Sequence, residues 1–368
     1  MHWVRTSLVL LLYAALLLTI SLTSMRQKSI TFDENVHLPA GYTYLAYRDF
    51  RMNPEHPPLV KALAAAPLLI SHPQVNLNDP AWQKPQQEKF GEKFLFEWND
   101  GDRLIFWGRL PVVLLTLLLG VAIFFCAREL YGWQAGAVAL ALTLFTPELI
   151  AHGQLVTTDL GIATFMFISC WFFYRALKRM SWWNVAGFGS GTALAVITKF
   201  SSALLPVMLL LVGVSFAFSS VPVTLAVGKL SGRLLKDKRS KLAAALALIL
   251  AGGLTSFIII WAAYGFRYSI SAHPAISETL LWNKNGFWRP GFGMAVMSAV
   301  RQWHILPEAF VYGFTYLLRF SDQRVAFLLG EQSATGWWYY FPVSFLVKTP
   351  IPLLLLIASG FALLRRYG

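Results

Sequence analysis

The sequence predicts an all-α polytopic membrane protein, and three observations support this fold class. First, 56% of the 368 residues are hydrophobic and only 13% are charged, whereas a soluble domain typically has about 25% charged residues. Second, the apolar residues form blocks long enough to cross a bilayer. Third, the chain is basic, with a net charge of +13, which in a membrane protein is first a topology signal. This composition excludes a water-soluble globule, a disordered chain and a disulfide scaffold.

Eight apolar blocks are candidate transmembrane helices. Each approaches the roughly 20 residues that a spanning helix needs, although two are short. The blocks cover residues 6–24, 104–126, 135–151, 160–174, 184–198, 202–219, 242–264 and 337–364. The first block, which follows Arg5, also has features of a signal peptide, but its apolar run is long and its cleavage site is poor. We therefore expect a retained anchor and one membrane domain over residues 1–368.

The region 184–219 can form one long helix or two short helices that are broken at Lys199. If the N-terminus is cytoplasmic, two helices keep the basic loops inside. One helix would place outside a cluster that comprises Lys229, Arg233, Lys236, Lys238, Arg239 and Lys241. The positive-inside rule therefore favours two helices and leaves residues 25–102 and 265–336 on the non-cytoplasmic side.

The two outer segments are rich in Trp, Tyr, Pro and charged residues, so we expect them to fold on the membrane surface. The stretches Glu34–Tyr47 and Leu59–Ile70 are predicted interfacial helices. The chemistry is expected to face outward, where ATP and nucleotide sugars are scarce. Nucleic-acid binding is disfavoured, because topology accounts for the main basic cluster.

The first outer segment begins with two adjacent carboxylates, Asp33 and Glu34. Adjacent like charges in a cleft of low dielectric constant raise one pKa, which suits a general base. An alternative is structural: Thr31-x-x-Glu34 fits a capping box, in which Glu34 only starts a helix. The residue types leave both interpretations open.

A second motif is Asn53-Pro54-Glu55-His56-Pro57-Pro58. Its prolines predict a helix that begins near Pro57 or Pro58. His56 and Lys61 are candidate donors to a phosphate. Glu55 is a candidate ligand of a divalent metal ion, although adjacent residues alone form an incomplete metal motif. The alternative is a Pro-rich turn with solvated charges.

Further ionisable residues are predicted at the same membrane face. Asp159 lies at the outer start of the fourth block, where the helix dipole also favours a carboxylate. Lys199 lies in the break between two short helices, and such breaks are tolerated where they line a cavity or are buried in protein. Lys348 lies within the last block and must reach outward or form a pair. The second outer segment adds Arg267, His273, Trp303, His304, Arg319, Arg324 and Glu331, and one or more of these is expected to meet a phosphate or an acceptor.

The order of these motifs resembles that of the GT-C membrane glycosyltransferases. The chain is most similar to the bacterial phospholipid-carrier-dependent members of the clan that holds protein O-mannosyltransferases and the aminoarabinose transferases of lipid A. The motifs are Asp33-Glu34, Asn53-Pro54-Glu55-His56-Pro57-Pro58-Leu59 with Lys61, Thr157-Thr158-Asp159, Thr198-Lys199-Phe200, Gly330-Glu331 with Gly336-Trp337-Trp338-Tyr339-Tyr340-Phe341, and Phe345-Leu346-Val347-Lys348-Thr349-Pro350.

The resemblance implies a GT-C-like bundle and an inverting transfer of a sugar from a polyprenyl-phosphate carrier to a protein, glycan or lipid acceptor. It implies an enzyme of a bacterial plasma membrane with its site outside the cytoplasm. It places the base at Asp33, tuned by Glu34, with a second acid at Asp159. In the aminoarabinose-transferase branch a Lys stands at the position of His56, so this sequence departs from that branch at a predicted phosphate-binding position. Relatives usually continue with further spans beyond the equivalent of residue 368.

Two other classes of function are weighed against the same residues. A non-catalytic polyprenyl-lipid transporter or binding subunit needs a groove and basic residues, but no base at Asp33. A membrane metalloprotease is disfavoured, because the sequence lacks a His-Glu-x-x-His pattern.

Overall fold

The computed structural model describes residues 2–228, 231–272, 280–321 and 325–367. The predicted residues Lys229, His273 and Arg324 lie outside this described part. The chain is 70% helical with few strands, which confirms the predicted all-α polytopic class.

Seventeen helices and five short strands follow the chain through its described part. The helices are α1 His2–Met25, α2 Phe32–Tyr47, α3 Leu59–Ala65, α4 Leu68–Ser71, α5 Pro80–Gln83, α6 Gln87–Glu92, α7 Gly101–Tyr131, α8 Trp133–Phe145, α9 Pro147–His152, α10 Thr158–Lys178, α11 Trp182–Val196, α12 Leu205–Ala217, α13 Lys238–Ala263, α14 Phe292–Gln302, α15 Glu308–Phe320, α16 Tyr340–Lys348 and α17 Ile351–Tyr367. The strands are β1 Arg179–Ser181, β2 Val223–Ala226, β3 Leu234–Leu235, β4 Ala326–Leu328 and β5 Glu331–Ser333.

Five described helical segments are long and apolar enough to cross a membrane. They are Trp3–Met25, Gly101–Tyr131, Thr158–Lys178, Phe200–Ala217 and Lys238–Ala263. The helices α16 and α17 pass the same test as a pair, but they are bent by 113° at their junction. Thr349 has an extended backbone there, because Pro350 disfavours a helical conformation in the residue before it.

Two further predicted spans correspond to short helices. The predicted span 135–151 is divided into α8 and α9 at Thr146, because Pro147 lacks the N–H that would continue the helix. The predicted span 184–198 is α11, which has 15 residues. The predicted break at Lys199 is confirmed, since α11 ends at Val196 and a 3₁₀ turn, Phe200–Leu204, precedes α12.

Small residues allow the central helices to approach one another closely. A Cβ atom at Gly191 of α11 would lie 2.8 Å from the backbone N of Ser169 in α10. The same crossing carries a hydrogen bond between the hydroxyls of Ser169 and Thr192, 2.7 Å long. Small residues and buried hydroxyls are typical of packed helices in membranes.

One end of the helix bundle carries many basic residues and few acidic ones. Arg175 of α10 forms an ion pair with Glu129 of α7 at 3.5 Å, and the buried Lys241 donates to the Ser219 carbonyl. The strands β1, β2 and β3 form one small sheet at this end, with β1 parallel to β2 and β3 antiparallel to it. The chain therefore returns to this end after α10 and α12, as the two-helix count predicts.

The two outer segments pack together at the opposite end. In the first segment, α2 packs on α3, α6 and α7, and its helices match the predicted stretches Glu34–Tyr47 and Leu59–Ile70. The second segment has its own apolar core around the buried Trp282 and Tyr312. Strands β4 and β5 form a hairpin beyond α15.

Candidate functional site

A cleft of about 500 Å³ lies at the end of the bundle opposite the small sheet, between the two segments predicted to be outer and the start of α10. It is lined by side chains from α2, from the turn before α3, from α6, from the break before α12 and from α15. The lining residues are Phe32, Asp33, Val36, His37, Asn53, Glu55, His56, Gln87, Glu88, Thr158, Asp159, Lys199, Tyr316, Leu317 and Phe320. Five of the predicted site residues, from four separate sequence motifs, therefore share one cavity.

Asp33 lies in the first turn of α2, with its side chain at the cleft. Partial burial raises the pKa of Asp33, and the negative charge of Asp159 raises it further. The positive charge of Lys199 acts in the opposite direction. A carboxyl group with a raised pKa is a better proton acceptor than an ordinary aspartate, which is the property that a general base requires.

Asp159 and Lys199 form an ion pair across the cleft. The Lys199 Nζ atom lies 2.6 Å from the Asp159 carboxylate, and the Asp159 side chain remains 56% exposed. Asp159 is in the first turn of α10, where the helix dipole stabilises its charge. The pair places a cation and an accessible carboxylate side by side at the helix break.

Glu34 is turned away from the cleft and is fully buried against Arg109 of α7. The Arg109 guanidinium donates to both Glu34 carboxylate oxygens, at 2.8 and 2.7 Å. Glu34 also accepts hydrogen bonds from Thr31 and from the Val156 backbone N–H. Burial acts to raise the pKa of Glu34, but these donors hold it below its ordinary value.

This arrangement fits the capping interpretation of Glu34, with an ion pair added. The residues that donate to Glu34, namely Thr31, Arg109 and Val156, do not line the cleft. The Glu34 carboxylate therefore fixes the start of α2 and thereby the position of Asp33. The sequence analysis missed Arg109. An arginine within an apolar block was the available signal, since a charge there is expected to be paired.

Lys61 does not line the cleft, because its ammonium group is used within the turn that precedes α3. Its Nζ donates to the Asn53 carbonyl at 2.7 Å, the Asn53 side-chain oxygen at 3.0 Å and the His56 carbonyl at 2.7 Å. Burial lowers the pKa of Lys61 to about 7. Lys61 therefore holds the turn that presents Glu55 and His56 to the cleft.

Gln87 of α6 extends the same network along the cleft wall. It accepts a hydrogen bond from Asn53 at 3.2 Å and donates to Glu55 at 3.4 Å. The described residues include no group of three or more His, Cys, Asp or Glu side chains that could hold a metal ion. Glu55 thus lacks companion ligands in the described part, and the divalent metal ion stays a prediction.

His304 and Lys348 lie away from the cleft. The tilted rings of His304 and Tyr268 are in contact, with centroids 3.8 Å apart, and His304 borders a separate cavity beside α14. Lys348 is exposed in the last turn of α16. The structure does not bring these two candidates to Asp33, and their phosphate-binding role stays a prediction.

A second cavity adjoins the cleft. It has a volume of about 580 Å³ and shares Gln87, Glu88 and Tyr316 with the cleft wall. Its lining is basic, with Arg51, Lys84, Lys89 and Lys284. The charge of Arg51 is already paired with that of Asp49 at 2.9 Å. The positive charge of this cavity therefore comes from its exposed lysines.

The fold and the cleft define a polytopic membrane protein with acidic and basic groups gathered at one end of a helix bundle. Residues 101–261 match the model of the dolichyl-phosphate-mannose-protein mannosyltransferase family. The family model describes a domain of the GT-C superfamily, so the match confirms the resemblance to GT-C glycosyltransferases over α7–α13. It indicates a glycosyltransferase.

The matched segment covers less than half of the chain. It contains Asp159 and Lys199, whereas Asp33, Glu55 and His56 lie before it. Neither the curated proteins nor the solved structures include a match to this chain.

Proposed function

We propose that the protein transfers a sugar from a polyprenyl-phosphate carrier to an acceptor hydroxyl on the non-cytoplasmic face of a bacterial plasma membrane. The observation that carries this proposal is the convergence of Asp33, Asp159 and Lys199 on one cleft. These residues are distant in sequence, and each has the charge that one part of the reaction needs.

The proposed reaction is a single displacement at the anomeric carbon. The acceptor oxygen attacks this carbon and loses its proton to the Asp33 carboxylate. The bond between the anomeric carbon and the phosphate oxygen breaks, and its electron pair leaves with the carrier phosphate. Attack from the face opposite the leaving group inverts the configuration of the sugar.

The departing carrier phosphate gains a negative charge, which a nearby cation stabilises in the transition state. Lys199 is the cation at the cleft, and its pairing with Asp159 holds it there before the substrate binds. Asp159 supports the reaction in two ways, because it fixes Lys199 and raises the pKa of Asp33. Lys61 supports it indirectly, through the turn at residues 53–56.

The first prediction is that Asp33→Asn lowers sugar transfer by roughly 10²–10⁴-fold, the range expected for loss of a general base. Transfer is measured with purified protein in liposomes, from radiolabelled polyprenyl-phosphate-linked sugars to a cell-envelope acceptor fraction, with mannose as the first donor. Asp102→Asn is the matched control, because Asp102 is exposed in the first turn of α7 outside the cleft.

Full transfer by Asp33→Asn would remove Asp33 as the base. Carrier binding by the wild type without transfer of any sugar tested would instead favour the non-catalytic lipid transporter or binding subunit.

A further inference from the structure

His37 is a cleft residue to which the sequence analysis gave no role. It lies one helical turn after Asp33 in α2, and residues four apart share a helix face. Its ring lines the same cleft as Asp33 and Asp159, although only 5% of the residue is exposed. A polar ring that is buried at the wall of a cleft needs defined partners.

The hydrogen bond of His37 fixes where its proton lies. Its Nδ1 atom is 2.9 Å from the Val156 carbonyl oxygen. A carbonyl oxygen only accepts, so Nδ1 must carry the hydrogen. In a neutral ring, Nε2 then has a free lone pair and acts as an acceptor.

The charge of the ring is fixed by its surroundings. Burial, and the positive charge of Lys61, lower the pKa of His37 to about 4. Lys199 acts in the same direction, while Asp159 and the bond to Val156 oppose it. The ring is therefore neutral at physiological pH, which makes it a poor partner for a phosphate.

The Nε2 edge is the part of the ring that remains for a ligand. The ring lines the cleft and its Nδ1 is occupied by Val156, which leaves the Nε2 edge for a contact in the cleft. The ring of His56 is an aromatic neighbour of His37, with ring centroids 6.2 Å apart. Among the described residues, none donates a hydrogen bond to Nε2.

We propose that His37 is a substrate-positioning residue, whose Nε2 accepts a hydrogen bond from a sugar hydroxyl other than the attacking one. This inference rests on the proposed function, and it adds a specificity element to it. A site built to hydrogen-bond a hydroxyl strongly rejects an analogue that lacks it. The hydroxyl belongs either to the donor sugar or to the acceptor.

Two substitutions separate this role from a structural one. His37→Asn keeps an amide donor near the Nδ1 position for Val156, but it removes the acceptor at Nε2. His37→Gln places an amide oxygen near the Nε2 position and loses the Nδ1 bond. We expect His37→Asn to keep the wild-type melting temperature and lose about ten- to a hundredfold in kcat/KM.

We expect the opposite result for His37→Gln. Its melting temperature should be lower than that of His37→Asn, but its kcat/KM per folded molecule should be higher. A purely structural role gives the reverse ranking, because activity would then follow the melting temperature. That ranking, or wild-type kinetics in His37→Asn, would overturn the inference.

Deoxy donors identify the hydroxyl. A donor that lacks the contacted hydroxyl should react equally with the wild type and with His37→Asn, since the interaction is then removed on both sides. If every deoxy donor still distinguishes the two proteins, the contacted hydroxyl belongs to the acceptor.

The failure of the proposed function is distinguishable from the failure of this inference. Transfer by the wild type together with an unaffected His37→Asn variant refutes only the role of His37. If the wild type transfers nothing, the intrinsic tryptophan fluorescence of the protein is titrated with polyprenyl-phosphate mannose and its deoxy analogues. The acceptor fraction is titrated in the same way. Weaker binding of the donor or of the acceptor by His37→Asn then supports the contact, and equal binding of both overturns it.

Discussion

At the scale of single residues, charge coupling across the cleft affects the protonation of Asp33, the proposed base. The negative charge of Asp159 raises the pKa of Asp33, and the positive charge of Lys199 lowers it. The protonation of Asp33 therefore depends on both partners, and each can be removed separately. This makes the pH dependence of transfer a direct test of the coupling.

We predict that Asp159→Asn moves the acidic limb of the pH–activity profile to lower pH. The negative charge of Asp159 raises the pKa of Asp33, so its removal lowers that pKa and leaves the base deprotonated in more acidic solution. Lys199→Met should move the limb to higher pH, because a cation that lowers the pKa is lost. The measurement is kcat/KM against pH for the three proteins.

Lys199→Arg is the control for charge, since it keeps the cation and should leave the limb near that of the wild type. Shifts of Asp159→Asn and Lys199→Met in the same direction would contradict the coupling. An unshifted limb in both variants would show that a group other than Asp33 controls it.

At the scale of elements, the buried pair of Arg109 and Glu34 ties three segments together. Arg109 of α7 also donates to the carbonyls of Lys28 and Ser29, between α1 and α2. Val156 joins the same network from the segment before α10, because its N–H donates to Glu34 and its carbonyl binds His37. The start of α2 is thereby fixed to α7 and to the start of α10, which sets Asp33 opposite Asp159.

We predict that Arg109→Met destabilises the fold by about 3–5 kcal/mol, because it leaves the Glu34 carboxylate buried without a partner. Thermal unfolding in detergent measures the change. Arg26→Met is the control, since Arg26 is exposed after α1 and its guanidinium only lies over Phe106. Equal stability of Arg109→Met and the wild type would contradict the structural role of the pair.

A second element-scale prediction concerns the contact of α15 with the turn before α3. A Cβ atom at Gly313 would lie 2.1 Å from the Pro54 carbonyl oxygen, so Gly313→Ala must displace α15 from the cleft wall. We expect a lower melting temperature and reduced transfer. Gly253→Ala in α13 is the control, because its Cβ position faces open space. Alanine also has a higher helix propensity than glycine, so this variant should not be destabilised.

The sequence predicted the helices and the helix break better than it predicted the contacts between distant residues. Apolar blocks, prolines and the positive-inside rule located α1, α7, α10 and the break at Lys199, because these depend on local composition and on total charge. The pairing of Glu34 with Arg109 depends on where α7 packs, 75 residues away, and no local pattern carries that information. For the same reason, the sequence predicted that Lys61 binds a phosphate, whereas in the structure its ammonium group donates to backbone carbonyls of the turn before α3.

At the scale of the whole molecule, the two ends of the bundle differ in charge. The cleft lies at the end where α1 finishes and α10 begins, and the sheet of β1, β2 and β3 lies at the other end with the basic residues of 233–241. A polyprenyl-phosphate sugar used outside the cytoplasm requires the cleft end to face outward. The positive-inside rule gives the same orientation, because it places the basic end in the cytoplasm.

Cysteine labelling tests this orientation in intact cells. Cys126 and Cys170 are first replaced by Ser, and single cysteines are then introduced as Glu92→Cys in α6 and Ser231→Cys between β2 and β3, both at exposed positions. We expect a membrane-impermeant maleimide to label Glu92→Cys in intact cells and Ser231→Cys only after permeabilisation. The reverse pattern would place the cleft in the cytoplasm, where Asp33 could not act on a sugar carrier presented at the outer face.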